Sequence, residues 1–154
     1  MTRRRLKAPA RVKSDEGSAL IEFVGLAVLL LVPLVYALLS VFSVQRAAFA
    51  VTQAAREAGR AYATSPSTSA AGERAAYAAQ LALSSQGVRE RPSLRYAPAG
   101  SGCSASRADG AASLRPGARF VVCVRTQAAL PLGGSIAVNG QYAVAVDSFR
   151  AARG

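Results

Sequence analysis

The sequence has no histidine, one methionine and only two cysteines in 154 residues. Without an imidazole there is no His base for a Ser or Cys nucleophile and no His-containing metal site. Carboxylates are nearly as scarce. Beyond Glu22 they are Glu57, Glu73, Glu90, Asp109 and Asp147, and no two of them stand at an acid/base or metal-ligand spacing. The sequence offers no active site, so no enzyme, metal, cofactor or small-molecule substrate is expected. Aromatic residues make up 6% of the chain and do not interleave with the arginines as a nucleic-acid surface requires. With no helix-turn-helix, zinc-finger or RNA-binding signature, the net charge of +11 does not point to nucleic acid.

What the chain does have is one long apolar run. From Phe23 to Gln45 no side chain ionises except Tyr36. A hydrocarbon core about 30 Å thick is crossed by roughly 20 apolar residues at a rise of about 1.5 Å each, so this run spans it with length left for tilt. It is the only segment of its kind, and the chain reads as crossing a membrane once. Glu22 sits at the entrance of the run. Charge there is costly and normally has a partner or a purpose; the simpler account is that Glu22 snorkels to headgroup water.

Six of the nineteen basic residues precede Gly17, and the other thirteen, all Arg, are dispersed after it. The segment just beyond the run has only Arg46 before Arg56. By the positive-inside rule the leader stays in the cytoplasm and the C-terminal portion is exported. Cys103 and Cys123 both fall in the exported portion, where disulfides persist. A bridge between them would close a loop of about 20 residues, worth on the order of 3 kcal/mol in the chain-entropy model. Two unrelated buried thiols are the alternative.

A basic leader, then Gly17, four uncharged residues, Glu22 and a long apolar helix: this order resembles the type IV prepilin signal. The resemblance implies cutting by a prepilin peptidase between Gly17 and Ser18. It also implies that Glu22, fifth after the cut, neutralises the new N-terminal amine of a neighbouring subunit. Two opposite charges buried together avoid the desolvation cost that each would bear alone. An uncut leader acting only as a topogenic anchor is the plainer reading.

Pro33 removes the amide that would bond the Leu29 carbonyl, so a kink or loosened turn is expected inside the span. The Ala-rich stretch QRAAFAVTQAAREAGRAYA has no proline and favours continued helix to residue 63. A continuous helix over 18–63 would be about 70 Å long. Ala48, Val51, Ala55, Ala58 and Tyr62 share one face, with Gln53, Arg56, Glu57 and Arg60 opposite.

The opening SALIEFVGLAVLLLVP and the later TQAAREAGRAY, with Ala54, Ala55, Arg56, Glu57 and Ala58 at its centre, are similar to the TadE-like family of Tad/Flp pilus proteins. This similarity covers residues 17–62, under a third of the chain, and Gly59 stands where Ala is commoner. It implies a minor pseudopilin, a structural subunit of a Tad-type pilus or secretion apparatus. Its partners would be membrane lipid, prepilin peptidase, other pilin or pseudopilin subunits and Tad platform proteins.

Residues 64–71 read as a Ser/Thr/Pro linker, and 72–86 as a second helix with Tyr77, Ala78, Leu81 and Ala82 buried and Gly87 as its stop. Leu94 and Tyr96 suggest a short strand, and residues 97–117 a loop held by Cys103. Residues 119–127 alternate, with Phe120, Val122 and Val124 on one face and Arg119, Cys123 and Arg125 on the other. Residues 135–149 read as a hairpin turning at Asn139-Gly140, with Tyr142, Val144 and Val146 facing the core. The expected organisation is a cleaved leader (1–17), a transmembrane helix (18–45), its extension (46–63) and an extracytoplasmic α+β domain (64–154). That domain is pilin-like, with an antiparallel sheet of three or four strands on the helices. The competing reading is a secreted or membrane-anchored binding domain behind an ordinary signal sequence, since Ala48-Phe49-Ala50 has the small-x-small form of a signal-peptidase site.

Overall fold

The computed structural model describes residues 16–106 and 111–150, so most of the leader lies outside the described residues. The elements are α1 (Glu16–Ala63), α2 (Thr68–Ser85), β1 (Ser93–Pro98), a short 3₁₀ turn (Cys103–Ala105), β2 (Arg119–Ala129) and β3 (Ser135–Ala145). The fold is α+β: a long apolar N-terminal helix, a second helix and one antiparallel sheet in the order β1-β2-β3. The chain divides into two compact units, one ending at Ala37 and one beginning at Leu38.

In the second unit, Ala-rich α1 lies on the inner face of the sheet. Ala47, Ala50, Val51, Ala54, Ala55, Ala58 and Tyr62 are buried there. Ala48 is exposed instead, because the buried stripe runs through Ala47 and Ala50 rather than 48. Even-numbered residues of the sheet meet this helix: Phe120, Val122 and Val124 from β2, and Val138 and Val144 from β3. The alternation expected for β2 is present, and Val121 and Cys123 form a smaller cluster with Ala97 on the outer face. Cys103 and Cys123 are bonded there, with Cα atoms 5.7 Å apart.

Several features differ from the sequence expectation. No hairpin turns at Asn139-Gly140: β3 runs straight through both, pairing Asn139 with Arg125 and Gly140 with Val124. The reversal is at 130–134, where the Leu130 amide donates to the Gly134 carbonyl and Gly133 and Gly134 take φ of 102° and 84°. Those left-handed values suit glycine. Gly140 is needed for space. A Cβ there would lie 2.5 Å from the Val51 carbonyl carbon and oxygen, so the helix backbone rests directly on the strand.

The second difference is where α2 begins. It starts at Thr68, four residues early, because the Ser67 side chain accepts from the Ala70 amide and caps it. The 64–71 linker is therefore shorter than its Ser/Thr content suggests. Third, α2 buries Ala71, Ala75, Ala79 and Leu83, whereas Tyr77 and Leu81 are 72% and 58% exposed. Small residues let the helix approach closely, and the two large ones face away. Tyr142 also departs from expectation. It lies on the inner side but is 39% exposed, with the Arg56 guanidinium 5.6 Å from its ring centroid.

The end of α1 is fastened by a residue the sequence did not flag. The Arg150 guanidinium donates to the Ala63 carbonyl at 2.7 Å and also to the Ser65 carbonyl, placing a cation at a helix C-terminus. Beside it Tyr62, Tyr96 and Phe120 form an aromatic trio with centroids 4.7, 5.2 and 6.1 Å apart. The Tyr62 hydroxyl donates to the Ala112 carbonyl at 2.9 Å.

Burial, with Tyr62 beside it, pushes the Tyr96 phenol up to about 12 from its ordinary 10.0. The neutral form is the one that packs, so the unfolded chain loses this proton first. The stability Tyr96 contributes is thus intact below about pH 10 and lost as pH rises towards about 12. Unfolding midpoints of the full chain in detergent should fall across that window, and Tyr96→Phe should flatten the fall; an unchanged slope in the variant would exclude Tyr96 as its source.

Candidate functional site

The residues singled out at the N-terminus lie in the first turns of α1. Gly17 and Ser18 have helical backbone, and Glu22 follows as an exposed side chain one turn on. Leu20, Ile21 and Phe23 are 69%, 74% and 71% exposed, and the large apolar residues from there to Phe42 are exposed as well. A helix with apolar side chains all round and none of them buried is built for an apolar surrounding. Among the described residues it is one helix near the N-terminus, long and apolar enough to cross a membrane. The α-helical conformation continues through Pro33, and around Gly25 a Cβ would meet nothing within 4 Å.

The second motif has a different surrounding. Ala54, Ala55 and Ala58 are fully buried against the sheet, while Arg56 is exposed over Tyr142 and Glu57 accepts from Gln53 Nε2 at 2.9 Å. A helix presenting alanine can sit close to strands, and the neighbouring Gly59 extends that surface: a Cβ there would meet Val144 Cγ2 at 2.5 Å. The motif therefore forms the seat of α1 on the sheet. Ser43, near the start of this packed stretch, donates through its hydroxyl to the Ala129 carbonyl at 2.6 Å.

The recessed surfaces lie elsewhere. One, of about 270 Å³, borders the disulfide on the outer face and is lined by Arg95, Arg125, Ser104 and Asn139 among others. A second, of about 580 Å³, lies by Tyr96, Ala112 and Arg119. Among the described residues both carry arginine and hydroxyl groups and no carboxylate, thiolate or imidazole to act as base or nucleophile. Among the described residues no three His, Cys, Asp or Glu side chains converge.

Sequence reasoning missed Arg150 and Ser67 and gave Gly140 the wrong role. Ser67 carried a signal, an N-cap serine ahead of an Ala-rich run. Gly140 carried a misleading one, since Asn-Gly is the preferred hairpin pair. No protein-family model, curated protein or solved structure matches the chain.

Proposed function

We propose that the chain is a minor pseudopilin of the TadE-like kind, a structural subunit of a Tad-type pilus or secretion apparatus. One observation carries the reading: an apolar helical stretch with its large side chains exposed, preceded by a basic leader, with Gly17 and Glu22 spaced as a prepilin peptidase and a neighbouring subunit require. In this reading the leader stays in the cytoplasm, the helix is held in lipid as a single pass, and the α+β domain and its disulfide lie outside. Cleavage frees the Ser18 amine. Subunits then leave lipid and pack side by side, Glu22 against a neighbour's ammonium. Other pilin-like subunits and platform proteins of the apparatus are its partners, and its work is assembly rather than turnover.

The packing of α1 argues against signal-peptidase release after Ala50. Such a cut would separate Ala47 and Ala50, both buried, from the core they fill. A secretory apolar region is also only about 7–15 residues long.

N-terminal sequencing of the mature protein decides among the readings. Ser18 supports the pseudopilin, Val51 the secreted domain, and Met1 or Thr2 an uncut anchor. Gly17→Ala should leave an unprocessed, slower-migrating chain; the same mobility in variant and parent would remove peptidase recognition from the account.

A further inference from the structure

The sheet is laid along α1 in one direction. The Ser43 hydroxyl donates to the Ala129 carbonyl at the end of β2, while a Cβ at Gly140 would touch the Val51 backbone and one at Gly59 the Val144 side chain. The turn between β2 and β3, residues 130–134, is therefore the end of the sheet that points back along α1 towards its apolar run. Ser43 lies inside that run, which Gln45 ends and Arg46 follows. At strand rise the turn extends up to roughly 10 Å past Ala129, so its tip stands beside the last turns of the run.

The composition of the tip suits lipid. Leu132 is 79% exposed and Ile136, behind it, 47%. From Thr126 to Val146 no side chain is charged at neutral pH. The far end of the sheet differs: Arg115, Arg119, Asp147 and Arg150 gather there, where the Val146 amide bonds the Ala118 carbonyl and Arg150 caps α1. Within the turn the Leu130 and Gly133 amides are bonded internally at 3.1 Å, and Pro131 has no amide to satisfy. Both features lower the cost of taking this backbone out of water.

On the reading of α1 as a membrane span, we infer that the β2–β3 turn is a second membrane contact. Leu132, with Pro131 and Ile136 behind it, enters the boundary between headgroups and acyl chains of the bilayer that α1 crosses. Lipid is the occupant because α1 brings it there. Leu38, Leu39, Val41 and Phe42, in the stretch that Ser43 ties to the sheet, are exposed apolar side chains, and the lipid that covers them meets the tip as well. Entry removes the leucine surface from water, while the polar backbone that remains keeps headgroup water. Arg46 follows on the water side, the place of an interfacial anchor. Every copy in one membrane makes this contact in the same orientation, whether or not its leader has been cut. The domain is thereby attached at two points rather than swinging on one helix.

The test uses the full chain, its native disulfide intact, in vesicles of phosphatidylcholine and phosphatidylglycerol. A small environment-sensitive fluorophore is placed in turn on Leu30→Cys, Arg115→Cys, Leu132→Cys and Ser135→Cys. Nitroxides on the lipid acyl chains quench a fluorophore in lipid, and iodide quenches one in water. Leu30→Cys, in the apolar run, and Leu132→Cys should be quenched by lipid and shielded from iodide; Arg115→Cys, at the far end of the sheet, should do the reverse. Ser135→Cys should be shielded too, and adding Leu132→Asp should raise its iodide quenching several-fold, towards the value at 115. Protection of β2 amides from hydrogen exchange checks that each variant is folded. Leu30→Cys in lipid with Leu132→Cys open to iodide overturns the contact and leaves the span standing. Leu30→Cys open to iodide overturns the span, and the contact with it. Shielding at 132 without lipid quenching would put protein on the tip and overturn the contact. So would equal lipid quenching at 115 and 132, or a Ser135→Cys signal indifferent to Leu132→Asp.

Discussion

Gly140→Ala is expected to destabilise the α+β domain by about 3 kcal/mol or more, a large fraction of what holds a domain of this size together. The added methyl carbon would stand 2.5 Å from the carbonyl carbon and oxygen of Val51 and 2.7 Å from the Thr52 amide nitrogen. All three atoms are helix backbone, which has no rotamer through which to move aside. Relief requires lifting α1 from the sheet, and that opens the contacts of Val51, Ala54, Ala55 and Ala58 together. Gly59→Ala gives the comparison. There the obstructing atom is Val144 Cγ2, at the same 2.5 Å but on a side chain that can turn. Its cost should be smaller by about 1 kcal/mol or more. Chemical denaturation of the disulfide-intact full chain, followed by near-ultraviolet circular dichroism, measures both. Equal losses at the two glycines, or a Gly140→Ala variant as stable as the parent, would show that the helix backbone does not rest on β3.

The same glycine explains why the sheet was only partly legible. Asn139-Gly140 is the strongest short-range signal for a hairpin turn, and local reasoning takes the glycine as a conformational requirement. It is a spatial one, set by a helix some ninety residues earlier, and nothing within the strand records that. The actual turn carries Gly133-Gly134, an equally good local signal that competed with the first. β2 was legible because Phe120, Val122 and Val124 alternate with Arg119, Cys123 and Arg125, so period and polarity largely agree.

α2 was legible as a helix but not in its orientation. In TSAAGERAAYAAQLALSS most positions are small and apolar, so the pattern has little contrast around the axis. Size then suggested burying Tyr77 and Leu81, whereas close packing selected Ala71, Ala75, Ala79 and Leu83. The apolar span needed no such choice, since roughly 20 apolar residues without charge already have the length and composition to cross a hydrocarbon core. For the N-terminal residues the sequence supplies a spacing, and the structure adds that Glu22 stands exposed one turn beyond Ser18 on α1. What meets it is a question of assembly.

On the pseudopilin reading proposed above, Glu22→Ala should abolish incorporation of the chain into filaments while leaving processing intact. In a lone subunit Glu22, near the end of the apolar run, keeps access to headgroup water. In the assembly proposed above, side-by-side packing removes that access, and a neighbour's Ser18 ammonium would be the group that offsets its desolvation. Taking away one member of such a pair leaves the other charge buried without compensation, at about 3–5 kcal/mol. A loss of that size lowers association by roughly two to four orders of magnitude per contact. Glu22→Gln keeps the shape and removes the charge, so it should fail like alanine; Glu22→Asp keeps the charge on a shorter arm and should recover part of the assembly. The measurement is the amount of each variant in filaments sheared from cells, with N-terminal sequencing of the membrane fraction alongside. A mature Ser18 terminus with no filament incorporation separates this defect from that of Gly17→Ala, in which the amine never forms. Full incorporation of the alanine and glutamine variants would leave Glu22 as a snorkelling acid at the lipid boundary, and the subunits would have to be held in register by something other than that charge.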